Sequence, residues 1–399
     1  MIVDGVDTGM RRRPRHALGN DASISQAAIE AFSLDGFDAT SMASLSARAH
    51  LTYGAAYARF EDKSELAVAL WDERLFTAVT DALDSAAAAI PSGGDAFARA
   101  MATFVRPGPD LLAAVELIQA SRFEPALEQG IHRPFANWLT QWIGPGESIS
   151  PTEAVVRSTV ANLALGLVMV AGRPWQVDLT AELRRIGRVL ASPGPATELP
   201  ADRAAHLDDW PFASGDPRID RALAAIATIV GEIGYHRATI TRICRAAKVS
   251  TGLLYGRYPG KLDLFLAAND ALLANGYAAN ASFTQRLASA YGSGIAEAVV
   301  WREFQRPAYA IKRSLALESN RLARFDEQMR RVHLEKEQVL VDQYSASPDP
   351  TTALAYLHWD MAMAMGVNLV PNLVPAVWTL PFDVVTVPLL AGPSAGSAS

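Results

Sequence analysis

The chain has 399 residues, of which 50% are hydrophobic and 20% are charged, and its formal net charge is −6. At about 150 residues per domain this length predicts two or three domains, so a single small module and bulk disorder are both excluded. The single cysteine, Cys244, excludes an intrachain disulfide and a thiolate metal cage, and we expect a cytoplasmic protein without a metal site.

No targeting or membrane segment is predicted. Four arginines lie between positions 11 and 15, but no apolar stretch follows them, so a secretory signal is not expected. Of two apolar stretches further on, residues 159–171 are too few to span a bilayer, and residues 366–390 are interrupted by four prolines.

The chain contains an internal repeat at a constant offset of 198 residues. The segment that starts at Gly36 aligns without gaps with the one that starts at Gly234. A weaker echo follows in two apolar helical runs, residues 151–172 and 348–370. The repeat predicts duplication of a whole unit. The identical pairs are Gly36/Gly234, Ala49/Ala247, Gly54/Gly252, Tyr57/Tyr255, Arg59/Arg257, Lys63/Lys261 and Leu66/Leu264.

Residues 192–217, between the two copies, are rich in proline, alanine and acidic residues, and we interpret them as a linker. Fully extended, such a segment reaches roughly 80 Å. The remaining sequence is alanine-rich with a period near 3.6 and has no clear period-2 run, so an all-α fold is expected.

Each copy of the repeat predicts a helix-turn-helix. In the first copy a helix ends at Gly36, which accepts a left-handed C-terminal cap, and hydroxyls at Ser41 and Thr52 can cap the next two helices. The second copy has Thr239 and Ser250 at these two caps, so the capping chemistry is kept.

The third helix of the first copy, expected over residues 52–60, is too short and too polar on one side for a core helix. Such a helix fits the major groove of duplex DNA, with its first residues at base edges. Tyr57 and Lys63 could hold phosphate, and Tyr255 and Lys261 repeat the pair. Core tyrosines with satisfied hydroxyls are the alternative for the two phenols.

The two copies differ in charge and in their base-reading residues. Residues 217–266 carry eight Arg/Lys against three Asp/Glu, whereas residues 11–66 carry seven of each sign, so weaker DNA binding is expected from the first copy. The predicted DNA contacts are Ser41, Thr52, Tyr53, Ala55, Tyr57 and Lys63 in the first copy, and Thr239, Arg242, Ser250, Thr251, Leu253, Tyr255 and Lys261 in the second. Because Tyr53 replaces Thr251, an imperfectly palindromic operator is expected.

Both segments resemble the DNA-binding domain of the TetR family of transcriptional regulators. The resemblance rests on the Gly-aromatic pair, the Thr/Ser caps, and the Tyr, aromatic, Lys and Leu positions, which recur twice in phase. The family's turn glycine is His50 in one copy and Lys248 in the other, and a left-handed non-glycine residue costs about 1 kcal/mol.

The resemblance implies two TetR-like units fused in tandem as an intramolecular pseudo-dimer. Each unit is expected to continue into a helical ligand-binding and dimerisation domain whose last two helices form a four-helix bundle with those of the other unit. Further self-association of the fused chain is left open. The expected domains are a basic arm (1–20), a first helix-turn-helix domain (21–68) and helical domain (69–191), the linker (192–217), and a second helix-turn-helix domain (218–266) and helical domain (267–399).

The resemblance also implies a regulator, more often a repressor, that binds double-stranded DNA and is released by a small apolar effector. No nucleophile–base set supports an enzyme, and no cofactor is expected. The alternative is an interaction or ligand-binding scaffold in which one or both units no longer read DNA. Apolar side chains that could line an effector cavity, or simply pack in the core, are Phe123, Trp138, Trp142, Met169, Trp301, Met361 and Met365.

Overall fold

The computed structural model describes residues 15–144, 149–175, 177–201 and 212–391; within it, residues 15–21 and 275–279 are described by their backbone alone. Helices make up 78% of the chain, and the described ranges contain no strand. The all-α prediction is confirmed.

The first half of the chain folds into eleven helices within its described residues. They are α1 (Arg15–Leu34), α2 (Met42–Arg48), α3 (Tyr53–Tyr57), α4 (Lys63–Leu70), α5 (Phe76–Ala89), α6 (Gly94–Val105), α7 (Pro109–Ala120), α8 (Pro125–Leu127), α9 (Arg133–Ile143), α10 (Pro151–Val170) and α11 (Thr180–Ala191).

The second half repeats this order with nine helices in its described part. They are α12 (Pro217–Ile233), α13 (Ile240–Ala247), α14 (Thr251–Tyr255), α15 (Lys261–Tyr291), α16 (Ser293–Gln305), α17 (Ala310–Phe325), α18 (Glu327–Ser345), α19 (Pro350–Leu373) and α20 (Asp383–Leu390). The long helix α15 corresponds to α4 and α5 together, which are joined in the first half by a widened helical turn at Trp71–Leu75.

The structural correspondence continues beyond the repeat found in the sequence. Phe-Val-Arg-Pro at the end of α6, residues 104–107, matches Phe-Gln-Arg-Pro, residues 304–307, at the end of α16. In the next helices Glu116 matches Glu318, at an offset of 202 residues. The offset is therefore 198 residues in the helix-turn-helix units, 200 at the end of α16 and 202 in α17, so the second half has two extra residues before the end of α16 and two more near the start of α17.

The two halves meet along α10 and α19. Gly166 lies so close to Ala362 that an added Cβ would collide with its carbonyl oxygen, and Gly366 lies equally close to the carbonyl oxygen of Asn162. This reciprocity is that of a two-fold, self-complementary interface. Contacts of α11 with α20 complete a four-helix arrangement.

Helix α10 corrects the sequence-based statement about the apolar stretch at 159–171. The stretch belongs to a 20-residue helix, Pro151–Val170, which is long and apolar enough to cross a membrane. In the folded chain 89% of its apolar window is buried among the other helices. Its hydrophobicity is therefore used in the interface between the halves.

The described start of the linker lies on the second half. The amide of Gly194 donates to the carbonyl of Val384 at 2.8 Å, and the amide of Thr197 donates to a carboxylate oxygen of Asp383 at 2.5 Å. Arg302 of α16 donates to the carbonyl of Pro200 at 2.6 Å. Residues 192–201 thus follow the second half closely, instead of running free between the halves.

Candidate nucleic-acid interface

All four predicted helix caps are confirmed. The hydroxyl of Ser41 accepts from the amide of Ser44 at 3.1 Å, and that of Thr52 accepts from Ala55 at 3.3 Å. In the second unit the acceptors are Thr239 and Ser250, at 3.2 Å from the amides of Arg242 and Leu253. These hydroxyls therefore fix where the second and third helices begin. Their contact with DNA stays a prediction.

The turn between the second and third helices is left-handed in both units, although neither has glycine there. His50 has φ of 54° and Lys248 has φ of 53°. The following amides, of Leu51 and Val249, donate back to the carbonyls of Ser46 and Cys244 and close the helix ends. The departure from the family's glycine is thus accommodated without a change in turn geometry.

The third helices are shorter than predicted, since α3 ends at Tyr57 and α14 at Tyr255. One side chain in each, Ala56 or Leu254, is buried and anchors the helix to the core. The outward side chains remain exposed: Tyr53 at 57%, Tyr57 at 39% and Tyr255 at 56%. The phenols therefore face solvent and do not satisfy the core-tyrosine alternative.

The exposed faces of α3 and α14 differ. In α3 the rings of Tyr53 and Tyr57 lie 4.3 Å apart, and the hydrogen bond of the Tyr57 hydroxyl to Tyr53 is the main cause that raises the pKa of Tyr57. In α14 Thr251 replaces Tyr53, so Tyr255 stands without a stacked neighbour at that position. Of the other predicted contacts, Ala55 and Leu253 are half-buried and Arg242 is exposed.

Lys63 and Lys261 do not point outward in this DNA-free structure. The ammonium of Lys63 donates to the carbonyls of Phe37 and Thr40 at 2.7 and 2.8 Å, and that of Lys261 donates to the carbonyl of Tyr235 at 2.8 Å. Burial lowers the pKa of both lysines. They hold the loop after the first helix of each unit, and phosphate contact by these ammonium groups stays a prediction.

These loops form two equivalent corners, which we call the first corner (Gly36 and Phe37) and the second corner (Gly234 and Tyr235). Each corner is held by a glutamate of its own half: Phe37 N donates to Glu116 Oε1 and Tyr235 N donates to Glu318 Oε1, both at 2.9 Å. Glu116 and Glu318 are almost fully buried. The helical body of each half is thus bonded directly to its helix-turn-helix domain.

Each corner also contacts a phenylalanine of the opposite half. A Cβ on Gly36 would lie 2.8 Å from the ring of Phe325, and a Cβ on Gly234 would lie 2.7 Å from the ring of Phe123. Both glycines have positive φ as well, so the backbone conformation and the neighbouring ring each exclude a larger residue. Phe123, expected at an effector cavity, is therefore a contact between the first half and the second helix-turn-helix domain.

Arg321 joins both halves at the centre of this region. Its guanidinium lies 2.7 Å from Glu116 and from Asp38 of the first half, and 3.5 Å from Glu318 of its own half. Burial alone would lower its pKa, but the three carboxylates outweigh burial and hold the pKa well above the usual range. The same guanidinium helps to lower the pKa of Asp38, against the effect of burial.

Further polar contacts join the halves, between the helical bodies at Ser314 and to the two helix-turn-helix domains at Ser33 and Arg237. Arg122 donates to the hydroxyl of Ser314 at 2.8 Å, and its counterpart Arg324 donates to the carbonyl of Ser33 at 3.0 Å. On the second unit, Arg237 pairs with Glu124 of the first half at 3.0 Å. Sequence reasoning missed this network, whose signal was the recurrence of Glu, Arg and Phe at an offset of 202.

The other predicted effector contacts are distributed over both halves. Trp138 and Trp142 stack on each other in α9 at 5.6 Å, whereas Trp301 is buried in the second half and donates to Glu297 at 2.6 Å. Met361 and Met365 lie half-buried on α19. Met169 lines a cavity of about 550 Å³ between the halves. These residues belong to different halves and helices, and their contact with an effector stays a prediction.

The two capped three-helix units, with exposed third helices, define a protein with tandem helix-turn-helix DNA-binding domains. A family model described as bacterial regulatory proteins, tetR family, matches the chain twice, over residues 24–70 and 222–268. A comparison with curated proteins finds no match. Both helix-turn-helix units thus match this family's model, which supports a TetR-type transcriptional regulator with two TetR-like units in tandem.

Proposed function

We propose that this chain is a repressor that binds one imperfectly palindromic operator as a single polypeptide. The observation that carries the proposal is the pair of exposed third helices on two units whose corners are bonded to one buried centre at Arg321. A fixed mutual placement is what two recognition helices need to enter major grooves about one DNA turn, roughly 34–36 Å, apart.

The half-sites of this operator differ because the reading faces differ. Tyr53 with its stacked partner Tyr57 presents a wide aromatic surface, whereas Thr251 presents a small hydroxyl and methyl group. The phenol and the threonine side chain suit different base edges. The first unit, whose local charge is balanced, depends on the second unit for attraction to phosphate.

We further propose helical domains at residues 69–191 and 267–399 as the effector-binding and dimerising part, with residues 192–217 as the linker. Covalent linkage makes the contact between the units intramolecular, at an effective concentration around millimolar. One chain is then the DNA-binding species. An effector acts by changing the contacts between these helical domains and the two corners.

The first experiment selects bound duplexes from a random pool with the full chain. The recovered sequence is expected to contain two unequal half-sites, and affinity is expected to fall by about 10³ to 10⁵ between 50 and 200 mM salt if six to ten phosphates are neutralised. Selection that recovers no sequence, or two identical half-sites, contradicts the proposal. Failure to bind any duplex supports the scaffold alternative.

A residue exchange assigns each half-site to its unit. Tyr53→Thr is expected to shift the preference of the first half-site towards that of the second, and Thr251→Tyr is expected to do the reverse. Tyr291→Phe, at an exposed tyrosine outside both helix-turn-helix units, is the matched control and should leave all affinities unchanged. Uniform weakening on every sequence by both exchanges contradicts a base-reading role.

A further inference from the structure

One cavity lies between the halves and reaches the first helix-turn-helix domain. Its volume is about 550 Å³. Its walls come from the end of α1, the turn between α6 and α7, the end of α10, and the turn between α17 and α18. A molecule in this cavity would touch both halves and the first DNA-binding unit at once.

The polar side of the cavity is cationic. Arg106, Arg173, Arg324 and Arg330 line it, and its lining contains no carboxylate, although the chain as a whole is acidic. Glu337, which is not among the lining residues, pairs with Arg173 at 3.1 Å. The other guanidinium groups meet no carboxylate at ion-pair distance within the described residues, so the cavity keeps an excess of positive charge.

The hydrogen bonds of these arginines leave capacity for a ligand. Arg330 donates to two carbonyls, those of Ala323 and Arg324, and Arg324 donates to the carbonyl of Ser33. The guanidinium of Arg106 is exposed and makes no hydrogen bond to the described part of the chain. A planar guanidinium presents five donors that match the two oxygens of a carboxylate.

The opposite side of the cavity is apolar. Leu34, Leu112, Met169 and Leu334 contribute to it. Leu34, at the end of α1, is 69% exposed, the largest exposed fraction among the large hydrophobic side chains described. An apolar ligand body would remove this leucine from water, at about 25 cal/mol for each Å² covered.

The second half lacks several of the residues that line this cavity. The counterparts of Arg173 and Arg330 are Leu373 and Glu128, so two of the four charges are missing there. The counterpart of Ser33 is Gly231, whose added Cβ would lie 2.6 Å from the carbonyl oxygen of Ile311, so the end of α12 is packed directly against the neighbouring helix. This set of four arginines is therefore a feature of one side of the pseudo-dimer.

We propose that this cavity binds a carboxylate with an apolar tail, and that the bound carboxylate competes with the carbonyl of Ser33 for Arg324. Loss of that hydrogen bond would loosen the end of α1 and weaken DNA binding through the first unit. The binding site stands on the cavity itself, whereas its effect on DNA rests on the proposed function.

Binding is tested by titration calorimetry on the full chain with dodecanoate, and with dodecanol and dodecyltrimethylammonium as neutral and cationic probes. Dodecanoate is expected to bind at a stoichiometry of one, and Arg106→Gln is expected to weaken it about tenfold, the effect of one charge-assisted hydrogen bond. Arg306→Gln, at the counterpart of Arg106 in the second half, is the matched control and should leave the affinity unchanged. Leu34→Ser should also weaken binding without unfolding the chain, because that side chain is exposed.

Equal affinity for all three probes, or no loss with Arg106→Gln, overturns the site. The effect on DNA is measured by adding dodecanoate to the chain bound to its selected duplex. The expected result is a loss of affinity that disappears when the first half-site is scrambled, and an unchanged affinity overturns the link to Arg324. A chain that binds dodecanoate but no duplex contradicts the proposed function and leaves the site standing.

Discussion

The two halves of the chain have the same helices but differ at the centre where they meet. Arg321 in the second half corresponds to Gln119 in the first, so one arginine serves Glu116, Glu318 and Asp38 together. A dimer of identical chains would carry this arginine in both subunits. Fusion removes the requirement for identity, and the centre has become asymmetric.

The peripheral contacts, in contrast, have kept their symmetry. Gly166 and Gly366 each meet the backbone of the opposite half, and Phe123 and Phe325 each cover the opposite corner. Shape at the interface therefore constrains both halves equally, whereas charge near the axis can be shared unequally. The following predictions exchange residues between the halves or compare equivalent positions.

The largest effect is expected when Arg321 is given the residue of the first half. Arg321→Gln leaves Glu116 buried without its ion-pair partner and leaves Glu318 with Arg122 alone, at 3.6 Å, and the loss of the buried partner costs about 3–5 kcal/mol. Urea unfolding of the full chain measures the loss. Arg331→Gln, which removes a fully exposed pair with Glu327, is the control and should cost less than about 1 kcal/mol. Equal costs for the two variants would mean that Arg321 does not organise the centre.

A pH-dependent effect is expected at Asp360, whose counterpart in the first half is Val160. Burial, and then the charge of Glu297, raises the pKa of Asp360 to about 7, from a usual value of 3.8. Between about pH 4 and pH 7 the folded chain therefore keeps a proton on Asp360 that the unfolded chain releases. The contribution of this group to the free energy of unfolding is complete below about pH 4 and falls by up to about 1.4 kcal/mol per pH unit up to pH 7. Asp360→Val should remove this slope.

Thermal unfolding of both proteins between pH 4 and 8 measures the difference. Asp360→Asn keeps the polarity without the charge and should also flatten the profile. A slope that survives both substitutions would assign the titration to another group.

A smaller and symmetric effect is expected at the helix crossing. Gly166→Ala and Gly366→Ala each place a methyl group against backbone of the opposite half, and overpacking of this kind costs about 1–3 kcal/mol. Gly108→Ala is the control, because a Cβ there meets nothing within 4 Å. Urea unfolding should give similar losses for Gly166 and Gly366, and a large inequality would contradict the two-fold arrangement.

The smallest effect is expected at the two left-handed turns. His50→Gly and Lys248→Gly relieve strain of about 1 kcal/mol, part of which is cancelled by the greater freedom of glycine in the unfolded chain. The melting temperature should rise slightly for both variants. Ala49→Gly, at a neighbouring right-handed position, should lower it instead. A fall with His50→Gly would show that the imidazole has a stabilising contact of its own.

The sequence was sufficient for the parts that depend on local chemistry. The caps at Ser41 and Thr52 and the turn at His50 follow from neighbouring residues, and the constant offset made the second copy an independent check. The centre could not be found in this way, because Glu116 and Arg321 are 205 residues apart and belong to no motif. The offset also changes from 198 to 202 before α17, so a gapless comparison loses the repeat there.

The length of the third helices was misjudged, and the loop contacts of Lys63 were missed, for a related reason. The sequence does not show the hydrogen-bond partners of a lysine at the start of a helix. Only the fold shows that loop carbonyls lie within reach of the Lys63 ammonium group. In the same way, aromatic and methionine residues were grouped by type, although their helices are distributed over both halves.

The interface between α10 and α19 also has a consequence for folding during synthesis. Helix α10 leaves the ribosome about 200 residues before its partner, which at 5–20 residues per second corresponds to roughly 10–40 s of waiting. During that interval the apolar face of α10 that packs on α19 is exposed to water. The α19 helix of a neighbouring nascent chain offers the same packing surface. Rapid synthesis from crowded polysomes should therefore favour domain-swapped oligomers, in which α10 of one chain packs against α19 of another. Slow synthesis should favour the closed single chain.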